Sequence, residues 1–152
     1  MFIELEKELK KVMPYFFLED VSIAEIAYRV EAATIEELFR DSALALTEVM
    51  VDISTVEPNS EMNIEVEADN IDSLLYRFLN RIVAIKDSEG MLFKEYSPSF
   101  DTSFNKLRCK MKGERINSSK HELRNDVKGV SMHLFGVEKN KDIYSATVVL
   151  DI

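Results

Sequence analysis

Two segments of this chain carry a helical apolar stripe behind a capping residue, and the residues around them alternate apolar with polar. Thr34-Ile35-Glu36-Glu37 is a capping box: Thr34 closes the helix start and Glu37 can reach back to the cap N–H. Behind it Ile35, Leu38, Phe39, Ser42, Leu46, Val49 and Met50 fall on one helical face. Asp69 and Asn70 are candidate caps for a second helix, whose stripe is Ile71, Leu74, Leu75, Phe78, Ile82 and Ile85. Gly90 stands where a helix end favours a left-handed residue. A striped helix must bury its apolar face against another layer.

That layer is written in strand-like segments. Tyr15-Phe16-Phe17-Leu18 is a compact apolar run, and Ile26, Tyr28 and Val30 alternate with polar or small neighbours. Met62, Ile64, Val66 and Ala68 do the same, as do Leu107, Cys109 and Met111. Met91-Leu92-Phe93 starts a further strand, and Pro98 interrupts or edges the next. Val127 to Glu138 reads as a long strand, Asn140-Lys141-Asp142 as a turn, and Ile143 to Ile152 as the closing strand. The expected fold is α+β: a two-layer sandwich with a mixed, mainly antiparallel sheet of six to seven strands packed on two long helices. Residues 1–152 fit one domain. Phe2, Leu5, Leu9 and Val12 suggest a short N-terminal helical extension over residues 1–13, ended by Pro14.

Composition narrows the function. An apolar content of 46% and a charged content of 31% belong to a soluble globular chain. No apolar run approaches the roughly 20 residues of a membrane span, and the N-terminus has no basic region or signal-peptide core. One cysteine excludes an internal disulfide framework. The expected location is the cytoplasm. A net charge of −9 argues against a direct, salt-dependent grip on a phosphate backbone. From Lys106 to Lys128, however, eight Lys/Arg face three acids, leaving about −14 on the rest. That stretch is either a solvated strand face or a docking patch for an acidic partner or an RNA-bearing complex.

There is no Gly-rich phosphate loop, dinucleotide fingerprint or nucleophile elbow, and two His with one Cys cannot build a closed zinc site of the usual kind. Cys109 is in phase with a buried stripe, and His133 sits inside a strand where packing is the expectation. His121, beside Glu122, is equally compatible with a structural and a functional role. No nucleophile–base pair stands out, which favours a binding or assisting protein over an enzyme. The most pointed local feature is Val148-Val149-Leu150-Asp151-Ile152, which sets the Asp151 side chain beside the carboxylate of Ile152. Either both face water, or a hard cation such as Mg²⁺ or Ca²⁺ sits between them.

Taken in order, the segments resemble the archeases. Phe17-Leu18-Glu19-Asp20, Ile23-Ala24-Glu25-Ile26-Ala27-Tyr28-Arg29 and Thr34-Ile35-Glu36-Glu37-Leu38-Phe39 are similar to the family's opening segment and its T-L-E-E-A-F helix start. Val49-Met50-Val51-Asp52, Val56-Glu57-Pro58 and the helix around Leu74 to Asn80 are similar too. Gly113-Glu114, His121-Glu122, Val127-Lys128-Gly129-Val130 and His133 resemble its G-E, H-E and V-K-A-x-T-Y-H signature, and Val148 to Ile152 its ending.

The resemblance implies a non-catalytic cofactor of an RtcB-type tRNA-splicing RNA ligase, one that promotes guanylylation of the ligase and multiple turnover. An RNA helicase or tRNA-processing enzymes are further implied partners; a general chaperone-like role for RNA-modification enzymes is the alternative. It also implies a divalent-cation site, calcium in the family with magnesium or manganese as alternatives, held by Glu25, Asp151 and Ile152. Lys128 and His121 are implied partner contacts. Two departures stand out. The family's H-T-A-D is Ser22-Ile23-Ala24-Glu25 here, so its His is absent, and the segment before Glu25 is two residues longer. Glu in place of Asp lengthens the arm by one methylene, which calcium's flexible shell absorbs better than magnesium's octahedron. Asp20 is the reserve ligand.

Overall fold

The computed structural model describes residues 14–19 and 23–152; the helix expected over residues 1–13, and Asp20 and Ser22, lie outside the described residues. The described chain runs β1 (Tyr15–Leu18), β2 (Glu25–Ala32), α1 (Ile35–Met50), β3 (Ser60–Glu67), α2 (Ile71–Glu89), β4 (Met91–Phe100), β5 (Lys106–Arg115), β6 (Gly129–Asn140) and β7 (Ile143–Asp151). This is the α+β arrangement expected, with every neighbouring strand pair antiparallel. The strands divide into two sheets: a four-stranded one ordered β1-β2-β7-β6 and a three-stranded one ordered β3-β5-β4. One apolar cluster joins both sheets and both helices through Tyr28, Val148, Ile64, Leu107, Leu38 and Phe78.

The helix signals act as written. The Thr34 hydroxyl accepts the Glu37 N–H at 3.1 Å, and Asn70 rather than Asp69 caps α2, its Oδ1 accepting the Ser73 N–H at 2.8 Å. Each satisfies an N–H that the helix itself cannot. Gly90 adopts φ +64° and donates its N–H to the Lys86 carbonyl, a conformation that glycine takes without a Cβ clash. α1 has no basic residue in its last turn. The need is met from far along the chain: the Arg124 N–H donates to the Met50 carbonyl, and its guanidinium donates to the Glu48 carbonyl and carboxylate at 3.0 and 2.8 Å. A cation placed there complements the negative end of the helix dipole.

Three sequence expectations sharpen or change. Of the two readings of Pro98 the edge one holds: it lies within β4, which runs unbroken from Met91 to Phe100 as an edge strand, where a missing N–H is tolerated. β6 begins at Gly129 rather than Val127, and it is broken in register: Ser131 pairs with Val149 but Gly136 with Thr147. Residues 132–135 therefore bulge out opposite Val148 alone. The third change follows from that. His133, expected to be packed, is exposed on the bulge, with Met132 and Leu134 at 69% and 67% exposure. Leu134 takes φ +60°, a conformation unusual for a branched side chain. Phe135 turns back onto Tyr76, with ring centroids 5.5 Å apart.

Candidate metal centre at the β2–β7 register

β2 and β7 pair residue for residue, and the pairing sets Glu25 opposite Asp151. Residues directly opposite in an antiparallel pair project from the same face, with Cβ atoms about 5 Å apart. Tyr28, Val148 and Leu150 fill the other face and are buried in the core. The backbone around the pair is tied at two further points: Ile152 donates its N–H to the Ala24 carbonyl at 2.9 Å, and Lys128 donates its N–H to the Asp151 carbonyl at 2.8 Å. Glu25 is half-buried and Asp151 exposed. The register thus brings together Glu25, Asp151 and Ile152, residues from opposite ends of the sequence.

Among the described residues, neither carboxylate has an ion-pair partner, and no group of three His, Cys, Asp or Glu side chains converges. The side chains at this end could offer two carboxylates, and Ile152 is the third member of the set the family resemblance implies. Its donors are all anionic or carbonyl oxygens, the chemistry of a hard cation rather than of zinc or copper. By donor chemistry, this pair would suit a hard cation of the calcium class if one bound.

The two implied partner contacts lie differently. Lys128 is exposed, and its backbone is anchored to Asp151. His121 is buried. Its Nδ1 accepts the Asn117 N–H at 2.9 Å, so its proton sits on Nε2 and is donated to Glu114 Oε1 at 3.0 Å. Glu114 also accepts from Lys120 at 2.6 Å and from the Glu57 N–H at 2.8 Å. The Lys120 bond comes first among the causes holding the Glu114 carboxyl below its usual range. With both ring nitrogens engaged inside the fold, His121 acts on segment 116–128 by holding it in place.

Part of the basic stretch is answered by acids. On β5, Lys106 bonds Glu65 at 2.9 Å and Arg108 bonds the same carboxylate at 3.1 Å. Cys109 is buried, and burial pushes its thiol up to about 12.

Two residues escaped sequence reading. Lys86 is buried on α2 yet ion-paired to Asp87 and Asp126 at 2.8 Å each. Burial alone would lower its pKa; the bonds to Asp126 and Asp87 outweigh that and leave it raised. Asn80 presents Oδ1 to the Val130 N–H at 3.1 Å. The available signal was that Lys86 lies one helical turn after Ile82, in phase with the apolar stripe.

Fold and site together define a small α+β protein that sets a pair of acids opposite each other at the end of a sheet. The sequence matches the Archease protein family (MTH1598/TM1083) over residues 15–152, and the chain belongs to that family. The archease of Thermococcus kodakarensis is 36% identical over 121 residues, covering 78% of this chain and 85% of that protein. The archease of Pyrococcus furiosus is 36% identical over 132 residues, covering 85% and 93%. The solution structure of protein 1598 of Methanobacterium thermoautotrophicum superposes with a TM-score of 0.81 at 32% identity, covering 92% of this chain and 99% of that one. A crystal structure from Thermotoga maritima, described as an archease and possible chaperone, shares the fold with a TM-score of 0.64 at 17% identity, covering 90% and 98%.

Proposed function

We propose that this protein is a non-catalytic activator of an RtcB-type tRNA-splicing RNA ligase in the cytoplasm, working through a divalent cation, calcium first, held by Glu25, Asp151 and Ile152. The observation that carries this reading is the β2–β7 register, which sets two acids of like charge opposite each other. Like charges directly opposite in a sheet are destabilising, and a bound cation turns that cost into a binding site. Such an ion, if bound, would supply positive charge of the kind that neutralises phosphate at a nucleotide. The chain's own part is to orient the oxygens: β2 presents Glu25, β7 presents Asp151, and the Ile152 N–H bond to Ala24 fixes the direction of the last residue. Lys128, exposed beside the cluster, faces the ligase or its nucleotide. RNA is handled by the ligase, with a helicase or other tRNA-processing enzymes as further members of the complex.

Ligase guanylylation, measured with Asp151→Ala and Glu25→Ala, tests this. Loss of stimulation in both variants supports it; full stimulation by both sinks the metal role. A second reading, a general chaperone-like protein for RNA-modification enzymes, draws on the exposed Met132 and Leu134, since exposed apolar side chains suit transient protein contacts. It predicts stimulation of several unrelated enzymes, and specificity for one ligase rejects it.

A further inference from the structure

β6 is the free edge of the four-stranded sheet, and an edge normally leaves its outward backbone groups to water or to a partner strand. Here α2 takes the place of a further strand with side chains. Asn80 Oδ1 accepts the Val130 N–H at 3.1 Å, while its Nδ2 donates to the Tyr76 carbonyl one turn back, so the amide is held at both ends. Lys86 Nζ donates to the Val127 carbonyl at 2.9 Å, and Asp126 and Asp87 hold the ammonium in place. Val127 and Val130 are themselves buried. The two grips bracket Lys128 and Gly129. Lys128 gives its N–H to the Asp151 carbonyl, and Gly129 is the register partner of Asp151.

We infer that Asn80 and Lys86 form a clamp that positions Asp151, and through it the Glu25–Asp151 pair, from the far side of β6. They are positioning residues: neither touches the carboxylates. The physical reason for the arrangement is that β7 is the only strand between β6 and β2. Any slip of β6 along β7 moves the Asp151 backbone against Glu25. Two helix side chains, one bonded on each side of a short segment, resist that slip without adding charge at the acid pair. The cation part of this inference rests on the metal reading above; the positioning part does not.

The test uses the full-length chain as wild type, Asn80→Ala, Lys86→Met and a core control, Ile85→Val, with two readouts. The first is amide hydrogen exchange at Lys128 and Ile152. The clamp predicts faster exchange at both amides in Asn80→Ala and Lys86→Met, and wild-type exchange in the control; unchanged exchange in both clamp variants overturns it. The second is calcium affinity by titration calorimetry. The expected loss is about tenfold in each clamp variant, typical of groups that orient a ligand rather than bind the ion. Wild-type affinity in both clamp variants overturns the clamp's role in ion binding while sparing the metal reading. Failure of the wild type to bind any divalent ion strikes the metal reading alone, and the exchange data then decide the clamp.

Discussion

The two sheets treat charge in opposite ways. Across the three-stranded sheet, β3 and β5 pair acid with base: Glu67 opposite Lys106, Glu65 opposite Arg108, Glu61 opposite Lys112. Across the four-stranded sheet, β2 and β7 pair acid with acid at Glu25 and Asp151. Both sheets are built from the same alternating pattern and share one core, so stability alone would favour the first solution everywhere. Among the described residues this pair has no basic side chain bonded to it, which is the feature the proposed cation would answer. On β5 the same pairing answers part of the basic stretch: Lys106 and Arg108 bond Glu65, and Lys110 lies 4.0 Å from Glu61.

The largest effect that sharpens this contrast is cation-dependent stability. Calcium at about 100 times its dissociation constant should stabilise the protein by about 2.7 kcal/mol, read as a rise in thermal midpoint. Asp151→Ala should abolish the rise. A wild-type midpoint indifferent to every divalent ion would leave the acid pair without its counterpart.

Next comes the joint between the sheets. His121→Ala strips Glu114 and the Asn117 N–H of a partner and empties a buried site, a loss of about 2 kcal/mol measurable by denaturant unfolding. The joint also fixes a pH dependence. Glu114 is held below its usual pKa by Lys120 first. Its contribution is therefore complete above the ordinary glutamate range and is lost as pH falls through the depressed folded value. Acid titration of Lys120→Met should show a shallower loss of stability in that window; an unchanged slope would remove Glu114 from the account.

A smaller effect has the opposite sign from most substitutions. In chelator, Asp151→Asn should stabilise the chain by up to about 1 kcal/mol, because it relieves a like-charge pair. Smallest is the mirror experiment, Glu65→Gln, which should weaken the three-stranded sheet slightly and more at low salt than at high. If Asp151→Asn destabilises metal-free protein as Glu65→Gln does, the two sheets are not different after all.

The elements and the family were open to sequence reading because their signals are local. Thr34 and Gly90 act within one helical turn, and the stripe from Ile35 to Met50 is a matter of spacing. The Glu25–Asp151 pairing was legible only through family resemblance, since no periodicity links residues at opposite ends of a chain. The clamp was illegible. Asn80 and Lys86 each bond a backbone group about forty or fifty positions away, and a side chain meeting backbone carries no residue-type signature at the receiving end. The bulge over residues 132–135 hid for a related reason: register slips are settled by what the neighbouring strand offers, and here α2 holds both flanks, through Asn80 to Val130 and Asp72 to Val137. The division of the strands into two sheets likewise depends on crossings that pattern alone does not fix.

The pairing of β2 with β7 also has a consequence in time. Arg29 reaches Thr147 across 118 positions of sequence, so closing this sheet needs a longer loop closure than the three-stranded sheet does, at an entropic cost that grows slowly with length. As the chain emerges during synthesis, β1 and β2 come out early and must wait for β6 and β7, while both helices and the whole three-stranded sheet can associate in the interval. Contacts of such long separation form late and slowly. The carboxylate cluster is accordingly the last thing to appear. A chain cut short anywhere before β7 lacks Asp151, which makes the Glu25–Asp151 pairing a built-in report that the four-stranded sheet has closed.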